Sequence, residues 1–274
     1  LADRAAVEVK HMYITFGMPW VPIPITVQAG VQAIAVRPSV NLYNDGPGIT
    51  VAAKIDPALI KLMWFKQWEG KNAAADDMDI YGVDANVKIG DFSPGAYLLY
   101  YKMNSYPLNA PAEPLYRSNM LWAGLYADGK AGPVNLTLDF GLDNGKVEDR
   151  GPTLPHAKDV KYSGWMFRGE ASYPWEKFTF GGVFSYGTGA DVNKTWWTGL
   201  PGTFSPNTGA ASTKVGAYAF APGSEGGPGD LFIVQANGSF DRGISGMLQA
   251  PANGMSRSCY AGLWYAKLYA AMKV

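Results

Sequence analysis

The 274-residue chain has one cysteine, two histidines and few charged side chains, and each scarcity excludes a class of protein. With Cys259 alone, an intramolecular disulfide and a metal site of the CxxC type are both excluded. His11 and His156 leave little for zinc binding or general-base catalysis. The 23 basic and 23 acidic side chains cancel. A nucleic-acid binder carries a basic surplus, so the balance of charges argues against that class.

Long hydrophobic runs and targeting signals are also lacking. No run approaches the roughly 18–20 apolar residues of a transmembrane helix. The N-terminal LADRAAVEVK lacks the basic and apolar regions of a signal peptide. These absences first suggest a soluble intracellular protein. Glycine and aromatic residues are abundant, however, and only 17% of residues are charged, which favours β-strands whose outer surface does not face water.

Alternation of apolar and polar residues recurs along the chain, while the i, i+3, i+4 spacing of helices is scarce. In 134–143, for example, Leu136, Leu138 and Phe140 lie on the apolar side, and the residues between them are polar or small. Strands of about 8–14 residues are long enough to cross a bilayer at a tilt. The pattern predicts an all-β fold of eleven strands at 6–18, 24–37, 48–55, 59–69, 78–89, 95–104, 115–127, 133–143, 160–173, 177–188 and 256–273.

The connections between these strands alternate between short and long. Short connections are predicted at 19–24, 56–57, 90–94, 128–132 and 174–176, and long ones at 38–47, 70–77, 105–114, 144–159 and 189–255. A soluble sandwich has no reason to sort its connections by length onto two ends. An outer-membrane barrel has short periplasmic turns and long extracellular loops. The order therefore predicts a transmembrane antiparallel up-and-down β-barrel.

Aromatic residues lie near both ends of the predicted strands. Near the short turns are Trp20, Phe92, Tyr97, Tyr126, Tyr173, Trp175 and Phe178, and near the long loops are Tyr43, Trp68, Tyr81, Tyr106, Tyr116, Tyr162 and Tyr186. Barrels carry an aromatic girdle at each membrane interface. Aromatics also favour strands in general, so this observation alone does not require a membrane.

Three stretches resemble Gram-negative outer-membrane porins: VEVKHMYITF (7–16), DMDIYGVDANVKIGDFSPGAYLLYY (77–101) and GWMFRGEASYPWEKFTFGGVFSYGTG (164–189). The chain is also similar to barrels of the alginate-export type. The resemblance covers the whole chain as a pattern of strands and turns. It implies a barrel of about 16 or 18 strands in the bacterial outer membrane, with an aqueous pore and often a homotrimer.

The chain departs from a complete porin in its strand count and its ends. If the short turns are periplasmic, the first strand descends from outside, whereas such barrels begin with an ascending strand. Eleven is odd, whereas single-chain bacterial barrels have even strand numbers. Residues 271–274 lack the terminal aromatic usual in the family. We therefore expect 1–274 to be one partial barrel domain of a longer chain, which also accounts for the missing signal peptide.

If the apolar strand faces contact lipid, the polar faces line the lumen. A Lys or Arg facing lipid at mid-depth costs roughly 2–4 kcal/mol, whereas rings of charge facing water tune which ions pass. Both signs occur, so no strong ion preference is predicted. Alternatively, opposite charges on neighbouring strands pair and stiffen the wall. The pore-lining candidates are Lys54, Asp84, Lys88, Arg117, Asp139, Asp143, Arg168, Glu170, Arg257 and Lys267.

The segment 189–255 is much longer than an ordinary connection and is rich in glycine, proline and small polar residues. Unstructured loops beyond about 15 residues are usually functional or disordered. An inward fold would make this one a constriction of the pore, whereas a surface cap or a subunit contact is equally compatible with its composition. The constriction candidates are Asp191, Lys194, Asp230, Asp241 and Arg242.

Enzymatic patterns are weak, and no cofactor or metal site is predicted. An acidic cluster of Asp76, Asp77 and Asp79 could supply the paired carboxylates that glycoside hydrolysis needs, but a solvated acidic turn explains the cluster better. No GxSxG motif or P-loop occurs. We predict an outer-membrane channel whose partners are the lipid bilayer and small hydrophilic solutes or ions. The alternatives are a substrate-specific or polysaccharide-export barrel, and a soluble all-β carbohydrate-binding protein or glycosidase with inward-facing apolar strand faces.

Overall fold

A computed structural model describes residues 10–38, 40–68, 77–106, 116–149, 160–189, 214–216, 218, 221 and 264–273. Among these residues there is no helix long and apolar enough to cross a membrane. All of their regular structure is β. The strands are β1 (Met12–Gly17), β2 (Ile25–Val36), β3 (Leu42–Ile55), β4 (Ala58–Trp68), β5 (Met78–Val87), β6 (Phe92–Tyr106), β7 (Tyr116–Ala131), β8 (Val134–Asp149), β9 (Val160–Trp175), β10 (Phe178–Gly187), β11 (Lys214–Val215) and β12 (Trp264–Met272).

Strands β1 to β10 and β12 form one antiparallel up-and-down sheet of eleven strands in chain order. The short strand β11 pairs in parallel with β9, outside this main order. The predicted all-β antiparallel sheet is therefore confirmed. Within the described residues the sheet does not close into a barrel, because β1 and β12 form its two edges without pairing with each other.

Among the strands that run farther than the alternation predicts, three have a proline in the added stretch. Strand β3 begins at Leu42, β6 begins at Phe92, and β9 continues to Trp175. Pro47, Pro94 and Pro174 each lie one or two residues beyond the last residue that pairs with one of the two neighbouring strands. Since proline has no N–H to donate, it fits a strand where a partner is missing on one side. The prediction treated these prolines as loop residues, which was wrong.

With the exception of 37–41, the shorter and the longer connections lie at opposite ends of the strands. The first end carries 18–24, 56–57, 88–91, 132–133 and 176–177, and the second carries 37–41, 69–77, 107–115, 150–159 and the segment that contains β11. The predicted long loop at 38–47 is wrong, because only 37–41 lie between β2 and β3. We call the two ends the short-turn end and the long-connection end.

The sheet curls strongly. In a flat sheet β2 and β7 would lie roughly 24 Å apart, which is five strand spacings of about 4.8 Å. Arg37, which follows β2, nevertheless hydrogen-bonds to Asp128 in β7 and to Asp139 in β8. One face is therefore concave, and we call it the inward face; the convex side is the outward face.

The outward face is apolar across the sheet and exposed. On β8 the outward Leu138 and Phe140 are 42% and 40% exposed, while the inward Asp139 between them is 4% exposed. Outward positions on other strands include Met12, Ile14 and Phe16 on β1; Ile49, Val51, Ala53 and Ile55 on β3; Tyr81, Val83, Ala85 and Val87 on β5; Leu121, Ala123, Leu125 and Ala127 on β7; and Trp264, Ala266, Leu268, Ala270 and Met272 on β12. No charged side chain interrupts these stretches.

Candidate lumen site

The inward face is apolar towards the long-connection end. Ile80, Leu99, Met120 and Trp122 are fully buried there. The ring of Tyr101 packs edge-on against Trp122, with 4.9 Å between the ring centroids. This half of the inward face is a packed core, which the prediction of a polar lumen did not include.

Nearer the middle of the sheet the inward face is charged, and Arg37 is at the centre of the charges. Its Nε atom donates to Asp139 Oδ1 at 2.5 Å, and its Nη1 and Nη2 atoms donate to the two carboxylate oxygens of Asp128 at 2.6 and 3.1 Å. Burial lowers the pKa of the Arg37 guanidinium, but hydrogen bonds to Asp139 and Asp128 raise it more, so the net pKa lies above its usual value. Arg37 therefore stays charged and holds both carboxylates by a fork that only arginine provides.

Arg168 extends the network towards β12. Its Nη2 atom donates to Glu170 Oε2 at 2.7 Å, and its Nη1 atom lies 4.0 Å from Asp139 Oδ2. Glu170 Oε1 in turn accepts a hydrogen bond from the Tyr269 hydroxyl at 2.7 Å. The side chains of Arg168 and Asp139 are each 4% exposed. The charges therefore join β8, β9 and β12 from the inward side.

On the other side of Arg37 the network continues towards β4. The Arg37 guanidinium lies 4.5 Å from the centre of the Tyr126 ring, a cation–π contact. The Tyr126 hydroxyl donates to Asp84 Oδ1 at 2.7 Å, and Lys61 Nζ lies 3.8 Å from Asp84 Oδ2. Polar contacts thus follow one another across the inward face from β4 to β12.

The 37–41 segment lies against the inward face. Arg37 has a φ of 47°, a left-handed conformation that is uncommon for residues other than glycine. Its carbonyl oxygen accepts hydrogen bonds from the N–H groups of Val40 and Asn41, both at 2.9 Å. Val40 is buried, and its carbonyl oxygen accepts a hydrogen bond from the Tyr218 hydroxyl at 3.2 Å. Arg37 at one end and Val40 at the other therefore fasten this segment across the sheet.

A cavity of about 280 Å³ opens beside the segment. Its lining consists of Arg37, Pro38, Val40, Asp128, Thr137, Asp139, Arg168 and Glu170. Two guanidinium groups face three carboxylates, a formal charge of −1. Such a space suits hydrated ions and small polar solutes. Among the residues with described positions, no group of His, Cys, Asp and Glu side chains is arranged to hold a metal ion.

A scan against protein-family models found no match, and a search of the curated proteins found none either.

The structure brings several of the predicted pore-lining residues together. Asp84, Asp139, Arg168 and Glu170 belong to the charged network. Asp143 is buried on the same face, where its Oδ1 atom accepts the Gly164 N–H at 2.6 Å. These residues pair with opposite charges or with backbone groups.

The remaining candidates occupy several positions. Lys54, which is exposed near the end of β3, and Lys267 on β12 alternate with outward residues and so lie on the inward side, where Lys267 is 5.6 Å from the Tyr269 ring centre. Lys88 is exposed in the 88–91 connection. Arg117 alternates with the buried Ser118 on β7 and therefore lies on the outward face, contrary to the predicted pore-lining position. Arg257 lies outside the described residues.

The predicted constriction residues Asp191, Lys194, Asp230, Asp241 and Arg242 all lie outside the described residues. Two other residues of the 189–255 segment are described in the core. Tyr218 and Ala221 are fully buried there, and the Tyr218 hydroxyl lies 3.0 Å from the point where a Cβ on the inward Gly141 would stand. At Tyr218, therefore, the long segment lies against the inward face.

Sequence reasoning missed Arg37, Asp128 and Lys61. Lys61 alternates with the outward Leu62 on β4, so the period-2 pattern was sufficient to find it. Asp128 was assigned to a turn, although β7 continues to Ala131. Nothing in the sequence signals the left-handed backbone that directs Arg37 to the inward face.

Proposed function

We propose that this chain forms an outer-membrane β-barrel channel through which small hydrophilic solutes or ions diffuse passively. The observation that carries the proposal is the exposed apolar band that the outward face presents on all eleven strands, together with the charged side chains that are buried on the inward face. A soluble sheet places its apolar side chains in the core, whereas a barrel in lipid does the reverse.

The height of the apolar surface supports a membrane location. On β9 the outward positions from Trp165 to Trp175 are apolar or glycine. Ten residue steps extend roughly 33 Å along a strand. With the tilt of about 35–45° usual in such barrels, this corresponds to a band roughly 25 Å tall, which is the height found in outer-membrane barrels.

Aromatic rings at both boundaries of the band also support the proposal. Trp64, Tyr81 and Tyr100 are cross-strand partners in register on β4, β5 and β6, at the long-connection boundary. Trp175 and Phe178 lie at the short-turn boundary, where they are partners on β9 and β10. Amphipathic rings prefer the interface between headgroups and acyl chains.

The charged network and its cavity supply the polar path of the proposed channel. Water and solutes would pass the paired guanidinium and carboxylate groups. Because the charges of these groups nearly balance, they favour neither cations nor anions strongly. In a bilayer the edges β1 and β12 must also be paired, since open sheet edges do not occur in hydrocarbon. Closure of the sheet is thus part of the proposal.

Two measurements on the protein refolded in detergent test the function. We expect migration on a denaturing gel to differ between unheated and boiled samples, because a folded barrel resists the detergent. In a planar bilayer we expect discrete conductance steps. A protein that stays monomeric and soluble without detergent, or a purified barrel that conducts no ions, contradicts the proposal.

A further inference from the structure

A row of polar side chains crosses the outward face at the long-connection end. Its members are cross-strand partners on six consecutive strands, β4 to β9, and we call them the lysine row: Lys66, Asp79, Lys102, Asn119, Lys146 and Lys161. Each pair lies in direct register, so the row runs unbroken across the sheet.

The lysine row lies directly beyond the aromatic boundary of the apolar band. Its first three members are each two positions from Trp64, Tyr81 and Tyr100 on the same strands. Two hydrogen bonds join these aromatics to the row: Trp64 Nε1 donates to Asp79 Oδ1 at 3.3 Å, and the Tyr100 hydroxyl donates to Asn119 Oδ1 at 3.0 Å. In the proposed membrane the row is therefore at the depth of the lipid headgroups.

The surface around the row is positively charged. Lys66 pairs with Asp77 at 3.0 Å, and Lys146 pairs with Glu148. Lys102 and Lys161 form no ion pair with the described residues, and Arg117 lies on the same face as the row. The four lysines and Arg117 face Asp77, Asp79 and Glu148, a formal charge of +2, on a chain whose net charge is zero.

An apolar groove lies beside the aromatic boundary. Its volume is about 360 Å³, and its outward lining includes Ile49, Leu62, Trp64, Val83, Leu98 and Tyr100. The groove adjoins the Lys66–Asp79–Lys102 part of the row. A surface with cations at headgroup depth and an apolar groove beneath them matches an amphiphile with an anionic head and hydrocarbon tails.

We propose that this surface binds lipids with an anionic phosphate headgroup, with headgroups at Lys102 and at Lys161 and an acyl chain of the lipid at Lys102 in the groove. The charge complementarity of the row selects such a lipid over a zwitterionic one. The inference rests on the proposed membrane location. The same location does not require it, since a barrel wall without the row would take any lipid.

The test uses the full chain reconstituted in phosphatidylcholine vesicles with a trace of spin-labelled phosphatidylglycerol or spin-labelled phosphatidylcholine. Electron paramagnetic resonance measures the motionally restricted fraction of each lipid at the protein surface. We expect phosphatidylglycerol to be preferred, and the preference to fall by about fivefold for each lysine removed in the Lys102→Gln/Lys161→Gln variant. It should also weaken in 1 M salt, where the Debye length is about 3 Å.

The matched control is the Lys130→Gln/Lys177→Gln variant, which loses the same charge at the short-turn end. Its lipid preference should equal that of the unmodified chain. Equal association of the two lipids, or the same loss of preference in both variants, overturns the lipid site while the membrane location stands. A chain that restricts neither lipid refutes the membrane location and the lipid site together.

Discussion

Replacing Arg37 with alanine removes the guanidinium that fastens the 37–41 segment to β7 and β8. The pair with Asp139 is buried, with side chains 17% and 4% exposed, and breaking a buried pair from one side costs about 3–5 kcal/mol. The value should fall near the lower end, because Arg168 still lies 4.0 Å from Asp139. Asp128 is 45% exposed, so its pair adds at most about 1 kcal/mol. We expect Arg37→Ala to lower the free energy of unfolding by about 3–4 kcal/mol.

Guanidinium chloride unfolding of the refolded protein, followed by tryptophan fluorescence, measures this loss. Arg37→Lys should retain part of the stability, because an ammonium keeps the charge but does not provide the fork to both carboxylates. Single-channel conductance should rise in Arg37→Ala, since the segment is released from the inward face. The Asp139→Asn single variant completes a double-mutant cycle. We expect the Arg37→Ala/Asp139→Asn double variant to lose at least about 1 kcal/mol less free energy of unfolding than the two single variants lose together. Losses that add within about 0.5 kcal/mol refute a direct Arg37–Asp139 interaction.

Substitutions at three further positions test the inward face. Asp143→Ala should cost about 1–3 kcal/mol in the same unfolding assay because the buried Gly164 N–H loses its acceptor. Asp143→Asn, which keeps an oxygen, should cost less; equal losses contradict the role of this hydrogen bond. Gly124→Ala should cost about 1–3 kcal/mol, because its Cβ would stand 2.5 Å from the Tyr97 ring; an unchanged unfolding midpoint disproves that contact. Tyr218→Phe loses one hydrogen bond to the 37–41 segment and should cost about 0.5–1.5 kcal/mol, with a smaller rise in conductance than Arg37→Ala. A larger rise would show that Tyr218, and not Arg37, holds the segment.

The sheet could be predicted from the sequence because the strongest pattern, the alternation of apolar and polar residues, follows the apolar side chains of the outward face. On β8 the alternation from Val134 to Leu142 matches the band of exposed apolar side chains. The prediction ended that strand at 143 because the next outward residues, Asn144 and Lys146, are polar, although β8 continues to Asp149. A strand that extends beyond the apolar band loses the pattern by which it was recognised.

The packed half of the inward face was not predictable in the same way. In 96–101 every residue is apolar or aromatic, since Leu98 and Tyr100 lie outward while Leu99 and Tyr101 lie in the core. With both faces apolar, alternation vanishes. The partners of Arg37 could not be predicted from the sequence either. Contacts between strands five and six positions apart depend on how strongly the sheet curls.

One pair of substitutions on β8 tests whether the outward face contacts lipid. Leu138 and Thr137 are neighbours on β8 that point to opposite faces, and Thr137 lines the charged cavity. With the protein folded into lipid vesicles, Leu138→Arg should lower the free energy of unfolding by roughly 2–4 kcal/mol, whereas Thr137→Arg should be tolerated beside Asp128 and Glu170. If the outward face contacts water, Leu138→Arg at this exposed position should change stability by no more than about 0.5 kcal/mol, and that result would contradict the account.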